Sequence, residues 1–304
     1  MTASPDVPTR LATVCDDTFL PGLIALMHSL RERHGTVPSF TVIHGQTRGA
    51  LSTTSRDVLS TIDPDTQFVE ADEDAFAHLI ERWYPILETP MRLMPAFFLL
   101  EALRLPGASQ VVTLDSDMIT TSDASALWMS PASPAGIDLV THTSRLGGRQ
   151  RTILNTGVMR IGAPHLGRST FDEIIAMEPP RTFDKGLGRA DQAILTCYLQ
   201  AKGHGTLEPR YNVTKRDVPG PDLEKVAHQL SAQNAAILHF VGDKPWRAHS
   251  SVREMGYAGA EQLWWRCWGQ ACANGPDAVQ KDLLSLSQHA LTSLAQDRAR
   301  AHAA

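Results

Sequence analysis

Residues 111–120 read Val111-Val-Thr-Leu-Asp115-Ser-Asp117-Met-Ile-Thr120. Val111 to Leu114 is a short run of β-favouring apolar residues, the pattern of a strand buried on both faces. Side chains alternate along an extended chain, so Asp115 and Asp117 are expected on one side, about 6 to 7 Å apart. A carboxylate pair at the C-terminal end of a buried strand lies where open α/β sheets bind ligands. Two acids there repel one another and are costly to desolvate. A divalent cation removes both problems, and hard oxygen donors suit Mg²⁺ or Mn²⁺. Taken alone, the pair could also be a solvated turn, or include an acid capping a following helix.

The flanking sequence supplies the sheet around this strand. Leu11 to Cys15 reads as a strand ending in Asp16, Asp17 and Thr18. Pro21 to Arg33 reads as a helix, with Leu23, Leu26, Met27 and Leu30 on one face. Ser39–His44 and Gln67–Glu70 are further strands, with a helix over Gly49–Ile62 between them. This β-α-β-α-β rhythm predicts an α/β fold with a central, mainly parallel sheet flanked by helices. Downstream, the sequence predicts a buried helix over Arg92–Leu105, a strand over Ile137–His142, a mobile or ligand-facing loop over Arg145–Arg151 and a strand over Ile153–Ile161. Helices over Pro164–Met177 and Asp191–Ala201 follow, then a strand over Ala235–Val241. Beyond Pro245 the chain becomes helical and Trp-rich. The expected division is therefore a catalytic domain over residues 1–246 and a C-terminal helical extension over 247–304.

The late strand carries a second cluster of chemistry, Ile237-Leu-His239-Phe-Val-Gly242-Asp-Lys244-Pro-Trp246. An imidazole at the end of a buried strand is commonly a satisfied core residue. A Gly and a Lys close behind it point instead to a ligand site. His239 could complete a metal shell begun by the aspartates, and Mn²⁺ accepts nitrogen more readily than Mg²⁺ does. Lys244 could hold a phosphate as a point charge, with Gly242 letting backbone N–H approach it. Trp246 reads as packing.

Composition bounds the function. The chain has 304 residues, 28 Lys+Arg against 33 Asp+Glu, and a net charge of −5. No basic block exists, which argues against nucleic acid as a partner. With 42% hydrophobic residues the chain can build a core, which excludes disorder for most of it. No apolar run approaches the roughly 18 to 20 residues that span a bilayer. The first ten residues, MTASPDVPTR, lack the features of a secretory signal. Cys15, Cys197, Cys267 and Cys272 form no CxxC pair, so zinc is poorly supported and reduced thiols in the cytoplasm are expected.

Together, ATVCDDTFLPGLIALMHSL, VVTLDSDMI, ILNTGVMRI, ADQAIL, YNV and ILHFVGDKPW occur in an order that resembles glycosyltransferase family 8. This is the family of glycogenin and the bacterial lipopolysaccharide galactosyl- and glucosyltransferases, and the resemblance runs from Leu11 to about Trp246. It implies a GT-A type nucleotide-sugar-binding fold, a UDP-sugar donor, Mn²⁺ and retention of anomeric configuration. By the same resemblance Val14, Asp16 and Thr18 contact the nucleotide, and Asp115, Asp117 and His239 bind the metal. Gly242 and Lys244 then contact the diphosphate, Asn155 and Thr156 line the donor sugar, and Asp191 and Gln192 lie beside it as the catalytic pair. Asp191 shares a helical face with Ile194, Leu195 and Tyr198, the inward side, although from the residues alone it could also be an acid at a helix start favoured by the dipole.

Three departures stand out. Where the family often has Tyr-x-Arg-Leu, this chain has Ala96-Phe97-Phe98-Leu99, leaving Arg92, Arg145 or Arg149 as replacements for the Arg. Ala193 stands where an acid is common, which favours front-face attack over double displacement through Asp191. The loop from His239 to Lys244 is shorter than in several relatives. The expected activity is hexose transfer to an acceptor hydroxyl on a glycan, glycolipid or small molecule. Loops such as Arg145–Thr152 and the Trp264-Trp265-Arg266-Cys267-Trp268 segment could form the acceptor pocket, although Trp at helical spacing usually packs in a core. The tail from Pro276 could touch a membrane surface peripherally, but its basic content is thin. Two alternatives remain at this level. One is a nucleotide-sugar-binding protein with a decayed site. The other is a metal-dependent phosphohydrolase of the haloacid dehalogenase type, whose DxD also follows an apolar strand. Against the second, Ile119 stands where Thr or Val is usual, the motif lies more than a hundred residues into the chain, and no suitable downstream Lys and acidic pair is evident.

Overall fold

The computed structural model describes residues 9–87, 93–146, 149–180, 190–247 and 256–274, except the side chains of 143–146 and 149–152. The opening alternation forms β1 (Thr9–Val14), α1 (Leu20–His34), β2 (Phe40–His44), α2 (Thr53–Ile62) and β3 (Gln67–Glu70). All five residues of β2 are buried, as expected for a strand covered on both faces. α2 starts where the Ser52 side chain accepts the Ser55 N–H, satisfying one of the donors a helix leaves open at its first turn.

α3 (Glu73–Leu87) and the short α4 (Met94–Phe97) lead to β4 (Gln110–Leu114), β5 (Met118–Thr120) and α5 (Ala126–Met129). β6 (Ile137–Leu146), β7 (Arg149–Gly162), α6 (Arg168–Ile175), α7 (Ala190–Lys202) and β8 (Gly205–Leu207) follow. The described chain ends with β9 (Val213–Thr214), α8 (Leu223–Ala232), β10 (Ile237–His239) and α9 (Ala258–Asn274).

A seven-stranded sheet runs in the order β3-β2-β1-β4-β7-β6-β8. β7 is antiparallel to both neighbours and the other pairings are parallel. The sheet separates two apolar cores. Val112 and Leu114 of β4 pack with α1, α8 and α9, whereas Val111 faces α3, α6 and α7. This alternation is the period-2 signature of a strand sandwiched between helical layers. A smaller sheet, β5-β10-β9, sits beside the first and draws β4's own continuation into it.

Several expectations change. Residues 92–105 do not form one α-helix: α4 gives way to a 3-10 helix over Phe98–Arg104. The three-residue turn puts Glu101 and Arg104 in line, and buried Glu101 pairs with Arg104 while accepting the Asp72 N–H at 3.0 Å. The Arg145–Arg151 stretch is not a loop but the tip of the β6–β7 hairpin, with Leu146 paired to Arg149 across the two glycines 147 and 148. α3 carries a stripe of Phe76, Leu79, Ile80 and Trp83 that was legible in the sequence but not read from it. The Trp-rich segment is helical, and Trp264 and Trp268 are buried in the core. The expected helix after Pro276 lies outside the described residues.

Candidate functional site

The two aspartates sit where the chain leaves one sheet for the other. β4 ends at Leu114 and β5 begins at Met118, so Asp115 to Asp117 is a turn and not extended strand. The Asp115 N–H donates to the Gly157 carbonyl of β7 at 2.9 Å. The Phe240 N–H, just past β10, donates to the Asp117 carbonyl at 2.9 Å. Each aspartate is thus tied to a different sheet, and this, not strand alternation, brings the carboxylates together.

His239 arrives through the small sheet, in which it pairs with Met118. Its Nε2 lies 3.4 Å from Asp115 Oδ2 and 3.2 Å from Asp117 Oδ1. One ligand atom from each of the three residues falls within 4.8 Å of the others. Two carboxylate oxygens and an imidazole nitrogen are a donor set that fits a divalent cation such as Mn²⁺. Gly157 keeps the space open: a Cβ there would stand 2.9 Å from both Asp115 Oδ2 and His239 Cε1.

The electrostatics are those of compressed charge. Burial alone raises the Asp117 carboxyl, but His239 and Lys244 outweigh it and hold this acid well below the usual carboxylate range. Asp115 goes the other way, raised first by burial and then by Asp117. Burial lowers the His239 ring, yet the two carboxylates win and raise it. Lys244 pairs with Asp117 Oδ2 and donates to the Phe240 carbonyl at 2.9 Å. Gly242, at φ +80°, takes the left-handed turn that returns the chain toward this lysine.

A cavity of about 720 Å³ opens onto the acids. Its lining brings together eight of the residues singled out in the sequence: Val14, Asp16, Thr18, Asp115, Asp117, His239, Gly242 and Lys244. Asp16 Oδ1 accepts from the Thr18 N–H at 2.8 Å, the Thr18 hydroxyl at 2.6 Å and the Phe19 N–H at 3.0 Å, shaping the entry into α1. The same lining includes Arg247, which the sequence reading passed over. Its guanidinium lies 4.5 Å from the Phe19 ring centre, and its Nη2 donates to the Thr18 hydroxyl at 2.9 Å.

The remaining four residues are not among the cavity's lining. Asn155 turns its amide oxygen toward the Gly157 N–H and Asn212 Nδ2, both at 2.9 Å. Asp191 is buried at the start of α7, after Ala190, whose φ of +49° is unusual for a residue with a Cβ. Burial first, and Asp115 next, push the Asp191 carboxyl up to about 7. Hydrogen bonds from Thr156 and from the backbone N–H groups of Asp191 and Gln192 oppose this. The Gln192 carbonyl accepts the Thr196 hydroxyl at 2.6 Å. Ala193 is fully buried. Phe98 lies in the apolar core, its ring centre 5.3 Å from that of Phe76. Arg92 and the side chains of Arg145 and Arg149 lie outside the described residues. Trp264 stacks on Trp268 at 5.6 Å, and neither it, Trp265 nor Trp268 lines the cavity. Gly157 and Asn212 sit inside segments the sequence singled out, without a role having been attached to them.

Comparison with solved structures finds the same fold in galactosyltransferase LgtC, in complex with donor and acceptor sugar analogs. That match has a TM-score of 0.60 and 16% identity, over 86% of this chain and 95% of that one. The glycosyltransferase GlyE of Streptococcus pneumoniae TIGR4 matches with a TM-score of 0.52 and 16% identity, over 92% of this chain and 64% of that one. Mouse xyloside xylosyltransferase 1 gives a TM-score of 0.50 and 12% identity, over 79% and 99%. The architecture is therefore of the GT-A type. No curated protein matches the sequence. The model of glycosyl transferase family 8 matches residues 10–250, about four-fifths of the chain. The protein is a glycosyltransferase and belongs to glycosyl transferase family 8.

Proposed function

We propose that this glycosyltransferase is metal-dependent and retaining, and moves a hexose from a UDP-sugar to an acceptor hydroxyl of a glycan, glycolipid or small molecule. The observation that carries the reading is the convergence of Asp115, Asp117 and His239 in the wall of a cavity that Lys244 also lines. Residues 1–246 form the catalytic unit in this reading. In the extension from 247, α9 buttresses it by packing on α1 and α8.

Asp115, Asp117 and His239 hold the cation, Mn²⁺ by preference because of the nitrogen donor. Bound there, it supplies Lewis-acid charge to a diphosphate. Lys244, now paired with Asp117, adds positive charge where UDP leaves. Gly242 lets a phosphate approach the backbone, and Val14, Asp16 and Thr18 border the nucleotide. Asn155 and Thr156 flank the sugar. Asp191 and Gln192 form the catalytic pair: Asp191 engages sugar hydroxyls, and Gln192 shields the face opposite the acceptor.

With Ala193 standing where the family often has an acid, front-face attack is the favoured course. The bond from the anomeric carbon to the phosphate oxygen breaks through an oxocarbenium-like state. The acceptor oxygen bonds to the same face, and its proton passes to the leaving phosphate oxygen. The phosphohydrolase alternative is not favoured. The four free thiols, three of them buried, suit a reducing compartment, and we place the enzyme in the cytoplasm on that ground. Among the described residues no helix is long and apolar enough to cross a membrane.

The test is incubation with Mn²⁺ and a panel of UDP-sugars while measuring UDP release. One donor giving metal-dependent release supports the reading. UDP binding without release from any donor, in the presence of candidate acceptors, would instead indicate a decayed site.

A further inference from the structure

The hydrogen bonds behind His239 decide which of its nitrogens must keep a proton when the other takes a cation. The Gly157 N–H can only donate, so the Asn155 atom that it meets at 2.9 Å is the amide oxygen. Asn212 approaches the same oxygen at 2.9 Å and must present its NH₂ there. That leaves the Asn212 oxygen facing His239 Nδ1, also at 2.9 Å. An amide oxygen only accepts, so Nδ1 carries the proton. The chain of donors starts at a backbone group that cannot reverse, and every later orientation follows from it. Asn212 is fully buried and its neighbour strand β9 is paired with β10, so the amide has little freedom to turn away.

We propose that Asn212, itself oriented by Asn155 and the Gly157 N–H, is a positioning residue that keeps the His239 proton on Nδ1 and so reserves Nε2 for a divalent cation held with Asp115 and Asp117. The proposal rests on the metal-binding reading above and adds to it a set of residues that never touch the metal. Partners of this kind fix the ring angle and tautomer of a ligating histidine, and their loss costs roughly 10- to 100-fold in metal affinity.

The experiment measures Mn²⁺ binding, without any sugar donor, by the loss of the free-ion electron paramagnetic resonance signal. Wild type, Asn212→Leu, Asn155→Leu and Asp117→Asn are compared. Asn212→Leu is expected to bind Mn²⁺ roughly 10- to 100-fold more weakly, with Asn155→Leu weakened in the same direction. In parallel, ¹⁵N-histidine spectra of Zn²⁺-loaded wild type, assigned through His239→Gln, should show the His239 proton on Nδ1. This measurement on wild type can overturn the relay even if the Asn212 variant does not fold. A proton on Nε2, or unchanged Mn²⁺ affinity in folded Asn212→Leu while Asp117→Asn loses it, overturns the relay and leaves the metal site standing. Wild type that binds Mn²⁺ no better than Asp117→Asn overturns both.

Discussion

Gly157→Ala tests the site through one methyl group. A Cβ at this position stands 2.9 Å from Asp115 Oδ2, 2.9 Å from His239 Cε1 and 3.1 Å from Asn155 Oδ1. Ordinary van der Waals contact begins near 3.4 Å, so the carboxylate and the ring must each retreat by about half an ångström. Functional constellations work within about 0.5 Å of their productive geometry, so this displacement spends the whole tolerance. The expected result is Mn²⁺ affinity reduced roughly 10- to 100-fold and UDP release slowed by up to about 100-fold. The fold should survive. Overpacking costs about 1 to 3 kcal/mol, and replacing Gly returns about 0.4 to 1 kcal/mol through the unfolded chain. A fall in Tm of a few degrees follows. Gly269→Ala is the matched control: nothing lies within 4 Å of its Cβ position on α9. It should leave Mn²⁺ binding untouched and add up to about 1 kcal/mol of stability. Gly157→Ala protein with wild-type Mn²⁺ affinity and turnover would refute the reasoning, because the three side chains would then not need to meet where they do.

Further expectations concern the acids, the rim and the thiols. Asp117→Ala should abolish UDP release while the protein stays folded by circular dichroism; near-full turnover would remove Asp117 from the site. Arg247→Ala, which takes a cation from the cavity rim, should raise the donor KM about tenfold, the size of one charge-assisted hydrogen bond, and a KM equal to wild type would place the donor elsewhere. The Cys267 thiol is pushed up to about 12 by burial and by Glu32, against an ordinary 9.0. At pH 8 it should alkylate about a thousandfold more slowly in the native protein than after unfolding, as read by mass spectrometry with iodoacetamide. Because this folded value is raised, the stability linked to Cys267 is complete below about pH 9 and is lost as pH rises toward 12. Denaturant midpoints that do not fall across that range for wild type relative to Cys267→Ala would contradict it.

What could be read from the sequence was local. The buried strands β1, β2 and β4 announce themselves by apolar runs, because a strand covered on both faces has no polar side to show. Asp115, Asp117, His239 and Lys244 were legible because each ends such a strand or follows one within a few residues. Gln67–Glu70 was placed to the residue. The 3-10 turn at Phe98–Arg104 was not, since an apolar run says nothing of whether the turn takes three residues or nearly four.

The tertiary structure alone decided how the distant pieces meet. Met118 pairs with His239 across more than a hundred residues of chain, and no pattern within either segment encodes that register. The turn at Asp115–Asp117 follows from the same pairing, because the chain must leave the large sheet to reach β10. Gly157 and Asn212 look ordinary in sequence, and their importance lies in what they face: a missing methyl beside two ligand side chains, and one amide oxygen behind an imidazole. Periodicity constrains neighbours along the chain, whereas the space around a side chain is set by residues brought from elsewhere. The sequence by itself could therefore name the acids and the histidine, and only folding could aim them at one point.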